Sequence, residues 1–161
     1  MKISTLCFLV SDGKILLGMK KERFGVGKWN GFGGKVEEGE SVTEGAMREM
    51  KEESGVSIFP EHLEKAAVID FIYIEKPEWD QQVHIFVARA GEGEPSESVE
   101  MRPQWFPFGA IPYESMWVDD PLWLPRILRG ELLKATIRFG GTGESIEFHD
   151  IQTVPDRTLL A

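Results

Sequence analysis

The chain has 161 residues, 42% of them hydrophobic and 28% charged, with a single cysteine and a formal net charge of −9. A length of this order supports one hydrophobic core without disulfide or zinc staples, and the lone Cys7 rules out an internal disulfide. The acidic balance argues against a nucleic-acid polymer or an anionic membrane surface as partner, since both call for a basic face, but a small phosphorylated ligand stays open because a bound cation inverts the local field.

In chain order, Ile3–Val10 and Lys14–Met19 read as two strands joined by a tight hairpin at Asp12-Gly13, residues that tolerate the positive φ such a turn needs. The first apolar run ends after about eight residues, too short for a signal peptide, and nothing approaches the ~20 apolar residues that span a bilayer. The expectation is a soluble, cytoplasmic, monomeric protein forming one domain over residues 1–161. Gly25–Gly39 is a glycine-dense loop carrying Trp29, Asn30 and Phe32. Val42–Ser54 then reads as a helix, with Ser41 and Glu44 forming a capping box and Gly55 as the C-terminal stop.

Ala67–Glu75 and Val83–Ala90 suggest an antiparallel pair around a polar loop at 76–82, and Gly91–Glu100 has the acidic, Gly/Pro/Ser-containing composition of a linker. A short strand at Gln104–Phe106 follows. Leu122–Arg129 reads as a second helix, interrupted near its start by Pro125 and ended by Gly130, and Thr136–Phe139 with Ser145–Phe148 reads as a closing hairpin over Gly140–Gly143. The order predicts an α+β sandwich, a mixed sheet with helices on both faces.

The glutamates of the first helix break the usual pattern. A charge run is ordinarily a solvated face, and at 100° per residue the apolar stripe here is Val42, Ala46 and Met50. Glu49 and Glu53 fall within about 20° of Val42, inside that stripe, while Glu52 lies at its edge with Arg48 one turn before it. Inward carboxylates one turn apart are costly and raise each other's pKa. A divalent cation resolves both problems. Oxygen ligands without Cys or His favour Mg²⁺, with Mn²⁺ possible, over zinc. The preceding loop, Gly31-Phe32-Gly33-Gly34-Lys35, can bring backbone close to such an ion because glycine has no Cβ.

Gly34-x5-Glu40-x7-Arg48-Glu49-Met50-x-Glu52-Glu53-x-Gly55-Val56 matches the Nudix box at every defined position, and the chain thus resembles the Nudix hydrolase superfamily. The resemblance implies an α/β/α sandwich and Mg²⁺-dependent hydrolysis of a nucleoside diphosphate linked to another group. LLGMKKERFGVGKWNGFGGKVEEGE, EMRPQWF and MWVDDPLWLP further resemble the branch of the superfamily that hydrolyses oxidised purine nucleoside triphosphates, such as 8-oxo-dGTP and 2-hydroxy-dATP, to the monophosphate and pyrophosphate. Pro77–Gln82 and the final IQTVPDRTLLA are distinct from it. The box alone leaves undamaged or methylated nucleotides and nucleotide sugars open, and its intact glutamates argue against a non-catalytic binding module.

Carried over residue by residue, the resemblance implies Glu49 and Glu53 as principal metal ligands, Glu52 as a ligand or the water-activating base, the Gly33 carbonyl as a backbone ligand, and Glu100 as a further acidic group near the metal. Either Glu52 or Glu53 serves as base, and Arg48 orients the glutamates. Trp117, Asp119 and Asp120 resemble the base-recognition segment, although Val118 stands where the family has proline. Trp117 offers a stacking platform, and a carboxyl pair sharing a proton can both donate and accept. Thr5, Lys20, Phe24, Asn30 and Phe139 match pocket-lining positions, and Phe32, Gly33, Gly34 and Lys35 join them as substrate contacts from the glycine loop.

Overall fold

The first connection is made by two residues in the left-handed region, Asp12 (φ 51°) and Gly13 (φ 73°), which join β1 (Lys2–Ser11) to β2 (Lys14–Lys20) with Ser11 directly opposite Lys14. In the computed structural model, which describes residues 1–161, six further strands follow: β3 (Trp29–Asn30), β4 (Leu63–Tyr73), β5 (Gln81–Ala88), β6 (Met101–Pro107), β7 (Leu133–Gly140) and β8 (Ser145–Thr153). They form one mixed sheet in the order β3-β2-β1-β5-β4-β7-β8, with β6 paired along the other edge of β2. The β1/β5 and β4/β7 pairs are parallel and the rest antiparallel.

Helix α1 (Val42–Ser54) has the predicted ends. The Ser41 side chain accepts from the Glu44 N–H while the Glu44 carboxylate accepts from the Ser41 N–H, and Gly55 closes the last turn at φ 80°. Helix α2 (Asp120–Leu128) begins two residues before the expected start and continues through Pro125. α1 covers one face of the sheet, where Ala46 and Met50 pack with Cys7, Leu9, Leu16 and Phe32. α2 covers the other, where Trp123, Leu124 and Ile127 meet Phe8, Ile69, Ile85 and Ile137. The result is the expected α/β/α sandwich.

Strands β4, β5, β7 and β8 differ from the expected bounds by a few residues, and three other differences have a physical reason. β6 is longer than Gln104–Phe106 because an edge strand tolerates Pro103. β3, only two residues long, carries no periodicity to detect. The linker-like 91–100 segment separates nothing: Ser57 and Glu92 exchange backbone hydrogen bonds and the Ser96 N–H donates to the Ser54 carbonyl at 2.7 Å, so it is fastened across the C-terminal end of α1. No helix is long and apolar enough to cross a membrane.

Candidate active site

β1 pairs with β2 only from Leu9 to Ser11. Further back along β1 its partner is the glycine loop: the Cys7 N–H donates to the Phe32 carbonyl at 2.7 Å, the Thr5 N–H to the Gly34 carbonyl at 2.9 Å, and the Val36 N–H to the Ile3 carbonyl at 3.0 Å. This close docking demands glycine. A Cβ on Gly33 would stand 1.9 Å from the Thr5 carbonyl oxygen, and one on Gly34 would stand 2.7 Å from the Glu49 carboxylate. The loop is thereby pressed against both β1 and α1.

The glutamates take their places around it. Glu53, 6% exposed, accepts a 2.9 Å hydrogen bond from the Gly33 N–H. Burial pushes its carboxyl up to about 8, the Gly33 N–H opposes this, and the like charges of Glu49 and Glu100 add to it. Glu49, beside Gly34, is also raised, chiefly by burial, with Arg48 opposing. Arg48 organises the group: its Nε and Nη2 grip Glu40 at 2.9 and 2.8 Å, and its Nη1 reaches Glu49 at 2.9 Å and Glu52 at 3.2 Å. Glu52 stands outermost, its side chain 59% exposed. Glu100, just before β6, is held by Lys20 at 3.1 Å, which lowers its pKa.

This donor set fits a hard divalent cation. It is oxygen-only, carries excess negative charge around a buried carboxylate, and faces a backbone that glycine allows to approach. No three of these side chains form a ready-made cage; Arg48 and Lys20 supply the balancing positive charge.

From Glu53 a cleft of about 200 Å³, lined by residues of both β1 and the glycine loop, leads to the N-terminal end of α2. Its lining gathers the expected Thr5, Lys20, Phe24, Asn30, Gly33, Gly34, Glu53, Trp117, Asp119, Asp120 and Phe139. Asp119 and Asp120 are each 2% exposed. Asp119 does not cap the helix with its side chain; it accepts from the Trp123 indole N–H at 2.7 Å, and Asp120 accepts from the Trp117 backbone N–H at 3.1 Å. Burial raises the Asp119 carboxyl to about 6, and burial together with the neighbouring Asp119 raises Asp120 well above the carboxylate range. Burial and mutual repulsion disfavour two charges side by side, and a pair that holds one proton offers both a donor and an acceptor. The half-exposed Phe24 ring rests on Trp117 (5.0 Å between centroids) and Trp79 (5.1 Å). Phe139 stacks on Phe71 at 5.7 Å.

Two expected contacts fall outside the cleft. The Phe32 side chain points into the α1-side core and is fully buried, because strand-like pairing with β1 sends alternate side chains to opposite faces. Lys35 is exposed and contributes its carbonyl to Arg48 at 3.2 Å. The sequence reading missed Lys28, Tyr73, Gln81 and Trp123, which all line the cleft. Only Trp123 left a signal: it lies one helical turn after Asp119, the spacing at which side chains on a helix meet.

A NUDIX domain model matches residues 2–127. The chain belongs to the Nudix family. Its similarity to the oxidized purine nucleoside triphosphate hydrolase of Danio rerio is 46% identity over 155 residues, covering 96% of this chain and 97% of that one. The protein of the same name from Mus musculus is 48% identical over 128 residues, 80% of each chain. Among solved structures, the MutT mutator protein of Bacillus halodurans superposes with a TM-score of 0.83 at 24% identity, over 94% of this chain and 98% of that one, a likeness of fold. Nudix hydrolases generally use divalent metal ions, in keeping with the donor set around Glu53. β7 and β8 lie beyond the matched residues yet belong to the same sheet, and β7 brings Phe139 to the cleft.

Proposed function

We propose that this Nudix enzyme hydrolyses oxidised purine (deoxy)nucleoside triphosphates, of the 8-oxo-dGTP and 2-hydroxy-dATP class, to the nucleoside monophosphate and pyrophosphate, with Mg²⁺ as metal. The observation that carries the reading is the buried Asp119–Asp120 pair beside Trp117 in the same cleft as Glu53: a platform for a purine, a donor and an acceptor for its edge, and a carboxylate cluster for its phosphates. The near full-length similarity to enzymes bearing that substrate in their name supports it.

Bound Mg²⁺ supplies neutralisation of phosphate charge and polarisation of the phosphoryl oxygen. Glu49 and Glu53, with Glu100, Glu52 and the Gly33 carbonyl, are the groups to hold it, and Arg48 fixes Glu49 and Glu52 in place. A glutamate, Glu52 or Glu53, accepts the proton of the attacking water as its oxygen bonds to phosphorus and the anhydride P–O bond breaks toward pyrophosphate. The Gly33 N–H bond fixes the orientation of the Glu53 carboxylate beside the glycine loop. Trp117 stacks the base, Asp119, Asp120 and the Asn30 amide meet its polar edge, and Phe24 and Phe139 enclose it. Residues from Thr5 to Phe139 build this one cleft, which supports one domain, and the reading takes the chain to act as a cytoplasmic monomer on free nucleotides.

The test is pyrophosphate release from 8-oxo-dGTP with and without Mg²⁺ for the wild type and Glu53→Gln. Turnover is expected to vanish with chelator and to fall at least about a hundredfold in the variant, the scale of a lost acid–base group. A folded variant within about threefold of wild type contradicts the assignment.

A further inference from the structure

Two lysines line the cleft and only one is paired. Lys20 is held by Glu100 at 3.1 Å. Lys28 joins none of the ion pairs, and its Nζ lies over the Trp117 ring, 5.2 Å from the centroid. The loop between β2 and β3 fixes this placement. Gly25 runs so close to Trp117 that a Cβ there would come within 3.3 Å of the indole, and the Lys28 N–H donates to the Gly25 carbonyl at 3.0 Å. The Lys28 stem is therefore launched from backbone that already lies against the tryptophan.

The two cations serve different ends of the cleft. Glu53 and Glu100 lie in the field of Lys20, and Asp120 lies in the field of Lys28. A half-buried ammonium with an aromatic face for company and no acceptor keeps its hydrogen-bonding capacity for a ligand. Beside Trp117 and Asp120 the acceptors that a purine offers are ring nitrogens and carbonyl oxygens, and oxidation adds a carbonyl oxygen.

We propose that Lys28 is a specificity-determining residue whose ammonium donates a hydrogen bond to a carbonyl oxygen of the purine held at Trp117. This rests on the oxidised-purine reading of the site. It makes Lys28 a third reader of the base, complementary to the aspartates: they exchange a donor and an acceptor with one edge, and the lysine answers an oxygen.

Equilibrium binding of product nucleotides tests it without turnover. Calorimetry compares 8-oxo-dGMP, dAMP and pyrophosphate on wild type, Lys28→Met and Lys28→Arg, with melting temperature as the check on folding. Loss of a charge-assisted hydrogen bond predicts that Lys28→Met weakens 8-oxo-dGMP about tenfold or more. For dAMP, which has no carbonyl oxygen, and for pyrophosphate the change stays within about twofold, and Lys28→Arg keeps most of the affinity. An unchanged 8-oxo-dGMP affinity overturns the inference and leaves the functional reading standing. Equal loss for all three ligands also overturns it, making Lys28 a phosphate or platform group. A folded wild type that binds neither purine nucleotide overturns the functional reading, and this inference with it.

Discussion

Asp119 and Asp120 bind their protons more tightly in the fold than in the unfolded chain, because burial and mutual repulsion disfavour their charged forms. Their contribution to stability is fullest at acid pH and declines as the pH rises through about 6, where the pair gives up its first proton. Asp120→Asn removes a titrating group while keeping an oxygen for the Trp117 N–H. We expect it to raise the melting temperature at pH 7.5 by about 2–4 °C, equivalent to about 1 kcal/mol, with no gain at pH 4. Calorimetric scans at the two pH values decide this, and an equal shift at both would show that titration is not the cause. The amide of that variant donates as a protonated carboxyl does, so its preference for an oxidised base should be kept.

At the scale of elements, the glycine loop and α1 form one device, since Gly33 is the point where β1, the loop and Glu53 meet. Gly33→Ala forces a Cβ into the Thr5 carbonyl. It is expected to destabilise the protein by about 3 kcal/mol or more and to abolish turnover, read by urea denaturation and pyrophosphate release. Ser41→Ala removes half the capping box away from the cleft and should cost about 1 kcal/mol with activity retained.

These elements also show what was legible in the sequence. The ends of α1 were readable because Ser41, Glu44 and Gly55 act within one turn of the backbone. The inward direction of Glu53 followed from helical period alone. β3 and the outer residues of β6 were not readable, since edge pairing with β2 is decided by long-range contact. Phe32 was misplaced because a glycine-rich loop gives no cue that it runs as a strand beside β1. Lys28 and Gln81 carried no local pattern at all, and only folding brings them to Trp117 and Phe71.

For the whole molecule, the charge of −9 is compatible with an anionic ligand because a bound divalent cation would invert the local field of the glutamates, with Lys20 beside them. The cleft also depends on the last strands. β7 lies parallel to β4 and buries Leu133, Ile137 and Phe139, so a chain ending at Arg129 loses a core strand and the Phe139 wall together. Such a chain is expected to lose its cooperative thermal transition, and a cooperative, active product would show that β7 and β8 are accessory.

The central claim is that one cleft couples phosphoanhydride hydrolysis at Glu53 to recognition of an oxidised base at Trp117, Asp119 and Asp120. Its most direct test is a competition between 8-oxo-dGTP and dGTP in one Mg²⁺-containing assay, with the two monophosphates resolved by chromatography. The geometry predicts a kcat/KM ratio favouring 8-oxo-dGTP by at least about tenfold, the value of one well-made hydrogen bond to the altered edge. Equal kcat/KM values would contradict it.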